Sequence, residues 1–424
     1  MSTLRNAWKV PELRNRILFT ILMVAIIRMG NHIPVPGIDT DALSNLAKAG
    51  TLFSFYDLMS GGALSSFSIF AMGVIPYINS SIIFQLLTIA IPSLEQLSKE
   101  GEEGRKKIKQ YTRYCAVVFG ALQSFGTYAL IRNYGAISNV TNFDVFLIVL
   151  TLTTASIFLM WLGDQITVKG IGNGISLIIF VNIISRLPSQ IAQVLSLQST
   201  EAVSIVQVVM LLLLVIVLFA AVVTTNLSER RIPIQYASKQ VGGRMAKGQS
   251  THIPINMNSS GVIAIIFAMS VMQFPATIGS FFPESAFNRI VTMSRFSPFR
   301  NNSLLFIIVT VVLVIFFTWF YSEVTFKPDE MAENIHKSAG FIPGVRPGEP
   351  TARFIGKVLM RVSILGGIFA AIIAVIPMGV ESLTAFKGIS FGGTALLIEV
   401  GVALDFMRQL ESQLMLRHYK GFLK

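Results

Sequence analysis

Ser60-Gly61-Gly62-Ala63-Leu64-Ser65-Ser66-Phe67-Ser68-Ile69-Phe70-Ala71-Met72-Gly73-Val74-Ile75-Pro76-Tyr77-Ile78-Asn79 runs on without a charge through Ser80–Ile91. The stretch is apolar enough for a membrane but is interrupted at Gly73 and Pro76. At 1.5 Å per residue, Ala63–Met72 predicts a half-helix of only about 15 Å, half of a bilayer's roughly 30 Å hydrocarbon core. Ile75–Ile91 is just long enough to span. A half-helix at membrane depth survives only where protein or a water-filled cavity surrounds it. The stretch therefore implies a cavity.

The rest of the chain supports a membrane reading. Hydrophobic residues make up 53% of the 424 and charged residues 13%, about half the charge of a soluble domain, and the mean hydropathy is +0.65. These values predict an all-α polytopic membrane protein. The net charge of +12 follows from Lys and Arg gathering on one side of a membrane. Cys115 is the only cysteine, which rules out a disulfide within the chain.

Besides Ile75–Ile91, hydropathy predicts spans at Ile17–Ile33, Tyr114–Ile131, Val145–Leu162, Ile175–Ile184, Val203–Thr225, Val262–Phe282, Leu304–Tyr321, Phe354–Ile376 and Gly393–Phe406, ten in all. The fifth, Ile175–Ile184, is short. Loops on the N-terminal side hold most Lys and Arg, while the opposite side has Lys48, Arg132, Arg186, Arg289, Arg295, Arg300 and Lys387. Both termini are therefore expected in the cytoplasm. Ten spans divide into five and five, 1–200 and 201–424, and an odd number per half inverts one half against the other. Inverted repeats commonly enclose a path at their interface. The long loops 226–258 and 323–357 are basic and rich in Gly and Pro, and loops of that length are often functional.

Catalytic chemistry is not evident. His32, His252, His336 and His418 are scattered, and no His-Glu-x-x-His or Cys/His metal spacing occurs. Gly101–Lys107 lacks the spacing of a phosphate-binding loop, and Gly170-Ile171-Gly172-Asn173-Gly174 reads as a tight turn between spans. No cofactor and no enzymatic activity are expected. Arg28 is expected to snorkel from the end of the first span. Glu399, inside the last span, is either a cavity-facing group or an interhelical hydrogen-bonding carboxylate. Asn79, Ser80, Ser81, Gln85 and Gln123 give two early spans a mildly polar face, and Gln273-Phe274-Pro275 places a polar group and a break in the seventh. On these grounds a channel and a transporter of broken helices both remain open.

Gly61–Ile78 resembles the SecY family, whose members form the central subunit of the bacterial protein-conducting channel. Four further segments agree in order: Arg105–Arg113, Gly170–Ser176, Phe341–Gly348, and Phe391–Thr394 leading to Asp405-Phe406. The resemblance covers nearly the whole chain. It implies an hourglass pore between the two five-helix halves, with a constriction at Val74, Ile78, Ile179, Ile183, Ile266 and Ile398. Val74 with Ile78, and Ile179 with Ile183, are four apart and share a helix face. An apolar constriction gates small ions by dewetting.

The resemblance further implies that 61–72 is a plug: Gly61 and Gly62 lead into Ala63, Leu64, Ser65, Ser66, Phe67, Ser68, Ile69 and Phe70, and Gly73 is a second hinge. A lateral gate would lie between the second and seventh spans, marked by Asn79, Gln85, Gln123, Gln273 and Phe274. It implies docking of cytosolic partners at Arg244, Lys247 and Arg346. The partners implied are the small subunits SecE and SecG, the motor ATPase SecA, the translating ribosome, unfolded preproteins with their signal sequences, and membrane lipid. Glu399 departs from the pattern, standing beside Ile398 where an apolar residue is expected.

Overall fold

The computed structural model describes residues 7–35, 57–133, 141–199, 203–236, 240–241, 244–245, 250–258, 262–281, 285–294, 297–299, 303–384 and 393–421. Each predicted span has a helix along most of its length. The helices are α1 (Pro11–Gly30), α2 (Ile75–Ala90), α3 (Pro92–Lys99), α4 (Glu102–Asn133), α5 (Asn142–Lys169), α6 (Gly174–Ser199), α7 (Ile205–Leu227), α8 (Ile263–Phe281), α9 (Leu304–Phe326), α10 (Pro328–Lys337), α11 (Glu349–Leu383) and α12 (Gly393–Gly421). Among the described residues, five helices are long and apolar enough to cross a membrane alone, and α2 with α3 forms a further pair bent by 99°.

Local chemistry sets the ends. α1 and α2 carry proline in the first turn, where its missing N–H costs nothing. Thr141 with Asp144, and Ser204 with Gln207, form capping boxes that begin α5 and α7. Several helices outrun their predicted spans. α4 has 32 residues and α11 has 35, because charged residues that cannot enter lipid still extend a helix into water. α6 has 26 residues rather than a short span. Ser185, Arg186 and Gln190 lowered its apparent hydropathy, but Gln190 is buried and the other two have partners inside the protein.

The helices of the first five spans pack as α2 on α4, α4 on α5, α5 on α6 and α1 on α5. Among the later ones, α9 packs on α11, α8 on α9, α7 on α12 and α11 on α12. Contacts of α8 with α4 and α2, and of α6 with α12 and α7, join the two sets. The main apolar core lies at this junction. α7 is scarcely buried, leaving Val206, Met210, Leu213, Ile216 and Val217 uncovered, a face suited to lipid.

The two long basic loops are not plain loops. β1 (Glu229–Tyr236) pairs antiparallel with β4 (Ser250–Asn256) and with β5 (Gly340–Phe341), giving the order β4-β1-β5. β2 (Gln240–Val241) pairs with β3 (Arg244–Met245) at the hairpin's far end. The sheet joins both loops in one body with its own core of Ile232, Ile234, Ile255, Ile335, Ile342, Ile355 and Leu359. A small sheet therefore stands on an otherwise helical protein.

Candidate functional site

The six residues expected at the constriction all fall within the main buried apolar cluster. Val74 caps α2 and Ile78 follows on its first turn, while α6 supplies Ile179 and Ile183, α8 supplies Ile266 and α12 supplies Ile398. All six are at most 8% exposed and belong to one apolar cluster. Glu399 is only partly buried while Ile398 is 1% exposed, so the carboxylate does not displace its neighbour from the cluster.

The segment 61–74 packs against this cluster, but as successive turns rather than the expected half-helix. Backbone bonds from Ser66 to Gly62 (3.2 Å), Phe67 to Leu64 (3.1 Å) and Ser68 to Ala63 (2.8 Å) mix three spacings. Two causes are visible. Fully buried Phe67 takes φ 42°, a left-handed conformation costing on the order of 1–3 kcal/mol. The chain following α1 also claims the backbone: Val35 N–H donates to Phe67 O and Ile69 N–H to Ile33 O, each at 2.9 Å, around a bridge between Pro34 and Ser68.

The segment's side chains divide between two environments. Ala63 and Phe70 enter the cluster that holds the constriction. Leu64, Phe67, Ala71 and Met72 join a second cluster with Tyr128 and Ile131 of α4 and Ile148 and Leu152 of α5, against which Ile69 packs. Ser66 is exposed and Ser65 partly so, whereas Ser68 is buried. Ser156 of α5 donates to Gly73 O at 3.0 Å, fixing the end of the segment where α2 begins.

Polar groups secure the other end. Asp57 pairs with Arg186 of α6 and accepts the Ser65 N–H at 2.7 Å. Arg186 also donates to Ser65 Oγ at 3.1 Å. Asn182 of α6 donates to Met59 O at 3.0 Å, and Asn31 donates to Ser60 O at 3.2 Å and to Asn182 Oδ1 at 3.3 Å. Arg28 does not simply snorkel; it donates to Ser185 of α6 at 2.8 Å. These partners lie up to 157 residues apart in the chain, and no local sequence signal pairs them.

The proposed lateral seam has mixed surroundings. Gln123 and Gln273 are buried and Asn79 partly so, while Gln85 and Phe274 are exposed. Gln85 donates to Ser81 on its own helix at 3.3 Å. Asp164 of α5 is held by Lys109 at 2.6 Å and Arg113 at 2.5 Å, both on α4. Among the residues expected to dock partners, Arg346 is exposed in a turn where Gly344 and Gly348 take φ 81° and 92°. Arg244 lies in β3, and Lys247 falls outside the described residues.

Long helices with uncovered apolar faces, joined across a buried apolar core against which the turns of 61–74 are seated, define a multi-pass membrane protein. Residues 68–407 match the SecY family model. The chain is 42% identical to the protein translocase subunit SecY of Thermus thermophilus over 99% of its own length and 96% of that protein's. It is 41% identical to that of Thermotoga maritima, over 99% and 97%. The chain belongs to the SecY family of protein translocase subunits. Its fold is similar to a solved protein-conducting channel, with a TM-score of 0.69 at 17% identity, covering 94% of this chain and 92% of that one. It is also similar to Sec61 in a canine ribosome-channel complex from the endoplasmic reticulum, with a TM-score of 0.64 at 15% identity over 94% and 92%.

Proposed function

We propose that the two halves, 1–200 and 201–424, are inverted about a central pore, and that unfolded secretory chains pass through the constriction of Val74, Ile78, Ile179, Ile183, Ile266 and Ile398. The observation that carries this reading is the union of those six residues with Ala63 and Phe70 in one buried cluster. Small apolar groups exclude hydrated ions and offer a passing peptide no fixed charge to grip. Residues 61–72 act as the plug, moving about Gly61, Gly62 and Gly73.

The lateral gate opens between α2 and α8, with Asn79, Gln85, Gln123, Gln273 and Phe274 along it, and releases apolar segments and signal sequences into lipid. The contacts of α8 with both α2 and α4 support this position. The basic loops 226–258 and 323–357 dock a motor ATPase of the SecA type or a ribosome through Arg244, Lys247 and Arg346. RNA phosphates and acidic patches are both drawn to such a surface. SecE and SecG complete the complex, in the bacterial cytoplasmic membrane with both termini in the cytoplasm. The channel is passive, and its partner supplies the energy.

The test is reconstitution in vesicles with SecE and SecG, using an unfolded secretory preprotein. Protection of the preprotein from external protease is expected only when SecA and ATP are both present. Protection without them, or none with them, refutes the proposal. A disulfide joining α2 to α8 is expected to block insertion of apolar segments, and unhindered insertion refutes the lateral gate.

A further inference from the structure

Two sets of residues share one stripe of α6. Ile179 and Ile183 belong to the buried cluster at the constriction. Asn182 and Arg186 each stand three residues further on, on the same helix face. Both reach the segment that leads into the plug: Arg186 through Asp57 and Ser65, Asn182 through Met59 and Asn31. The backbone of that segment lies directly on α6. A Cβ on Gly61 would sit 2.9 Å from Asn182 Oδ1, and one on Gly62 would sit 2.9 Å from Arg186 Cζ. Gly61 and Gly62 also take φ 71° and 90°, so glycine is required there both for space and for backbone angle.

We infer that Asp57, Asn182 and Arg186 form a clasp that couples the width of the constriction to release of the plug. This rests on reading Ile179 and Ile183 as pore-lining. A chain that spreads the constriction displaces Ile179 and Ile183, and a rigid helix carries Asn182 and Arg186 with them. The Asp57 side chain is 9% exposed and that of Arg186 26%. A pair so enclosed adds little net stability over apolar packing, but separating it strands a charge in a poorly solvated place. Such a contact has two favourable states, closed with the charges paired and open with both hydrated. Arg28, bonded to Ser185 of α6, lies close enough to repel Arg186. Loss of Asp57 therefore leaves two cations facing each other. These three residues position the plug and do not line the path.

The test uses the full complex in vesicles with Cys115→Ala and Ser68→Cys, since Ser68 is fully buried while the plug is seated. The rate of labelling by an impermeant maleimide reports plug release. Arg186→Ala and Asp57→Asn are each expected to raise the resting rate by about tenfold or more, as loss of a charge-assisted hydrogen bond implies. Arg186→Lys is expected to fall between parent and Arg186→Ala, and the exchange Asp57→Arg with Arg186→Asp to recover part of the parent rate. A preprotein stalled in the pore is expected to raise labelling in the parent but to add little in Arg186→Ala, where the clasp is already open. Equal stimulation of both by the stalled chain, in a parent that transports normally, overturns the clasp alone. A parent that transports no preprotein overturns the channel reading instead.

Discussion

Gly30 closes α1 directly against Phe70 of the plug, and Gly30→Ala should unseat it. A methyl at position 30 would lie 2.0 Å from Phe70 Cε2, 2.6 Å from Cδ2 and 2.7 Å from Cζ. Carbon atoms settle at about 3.5 Å or more, so the aromatic edge has to retreat by roughly 1.5 Å. Little room lies behind it. Phe70 is 3% exposed, stacks on Phe158 with centroids 6.3 Å apart, and shares a cluster with Val74 and Ile78. Overpacking of this kind costs about 1–3 kcal/mol. The cost falls on the plugged arrangement, so the ratio of open to plugged channels rises roughly 5- to 150-fold. The assay is ion leak from vesicles holding the reconstituted complex and no preprotein. Leak should rise in Gly30→Ala and fall again when Phe70→Leu is added. Parent-level leak from correctly assembled Gly30→Ala channels, or leak indifferent to the second change, would refute the reasoning.

Ile78→Ser with Ile266→Ser should raise ion leak by wetting the constriction, and unchanged leak argues against those two as its members. Asp164→Asn leaves Lys109 and Arg113 without their shared carboxylate; a loss of about 1–3 kcal/mol should lower the melting midpoint of the purified complex. Ile355→Ala removes a fully buried side chain beneath the β4-β1-β5 sheet, at about 2–5 kcal/mol. Protease should then cut the 229–256 hairpin faster while vesicle leak stays at the parent level. Arg346→Glu should impair motor-driven transport more than assembly, and equal loss of both marks the residue as structural.

The membrane helices were legible because lipid admits only one simple pattern, an apolar run whose backbone satisfies itself. α6 was underestimated for a related reason: Arg186 and Gln190 look foreign to a span until their buried setting is known. The turns at 61–74 could not be read locally, since helical geometry gives way there to a bridge of Ser68 with Pro34, more than thirty residues earlier, beside Phe67 in its left-handed conformation. The β4-β1-β5 sheet did leave a signal. Ile232 and Ile234, like Ile253 and Ile255, alternate with polar or proline neighbours at the period of a strand, but basic loops rich in Gly and Pro drew attention to charge. The constriction was the least legible part. Six aliphatic residues in an aliphatic chain carry no mark of their own, and only likeness to a family picked them out.

The β4-β1-β5 sheet has a mechanical consequence. Its strands leave the end of α7, lead into α8, and occupy the connection between α9 and α11. Four spans are thus tied at one end by hydrogen bonds that resist shear. A push delivered to the exposed turn at Arg346 cannot bend one of those helices alone; it is shared across the tie and tilts the group together. The sheet crosses neither boundary between the two helix sets, that of α8 with α2 and α4 or that of α6 with α7 and α12. Any force applied to this body acts as on a handle, moving four spans rather than one.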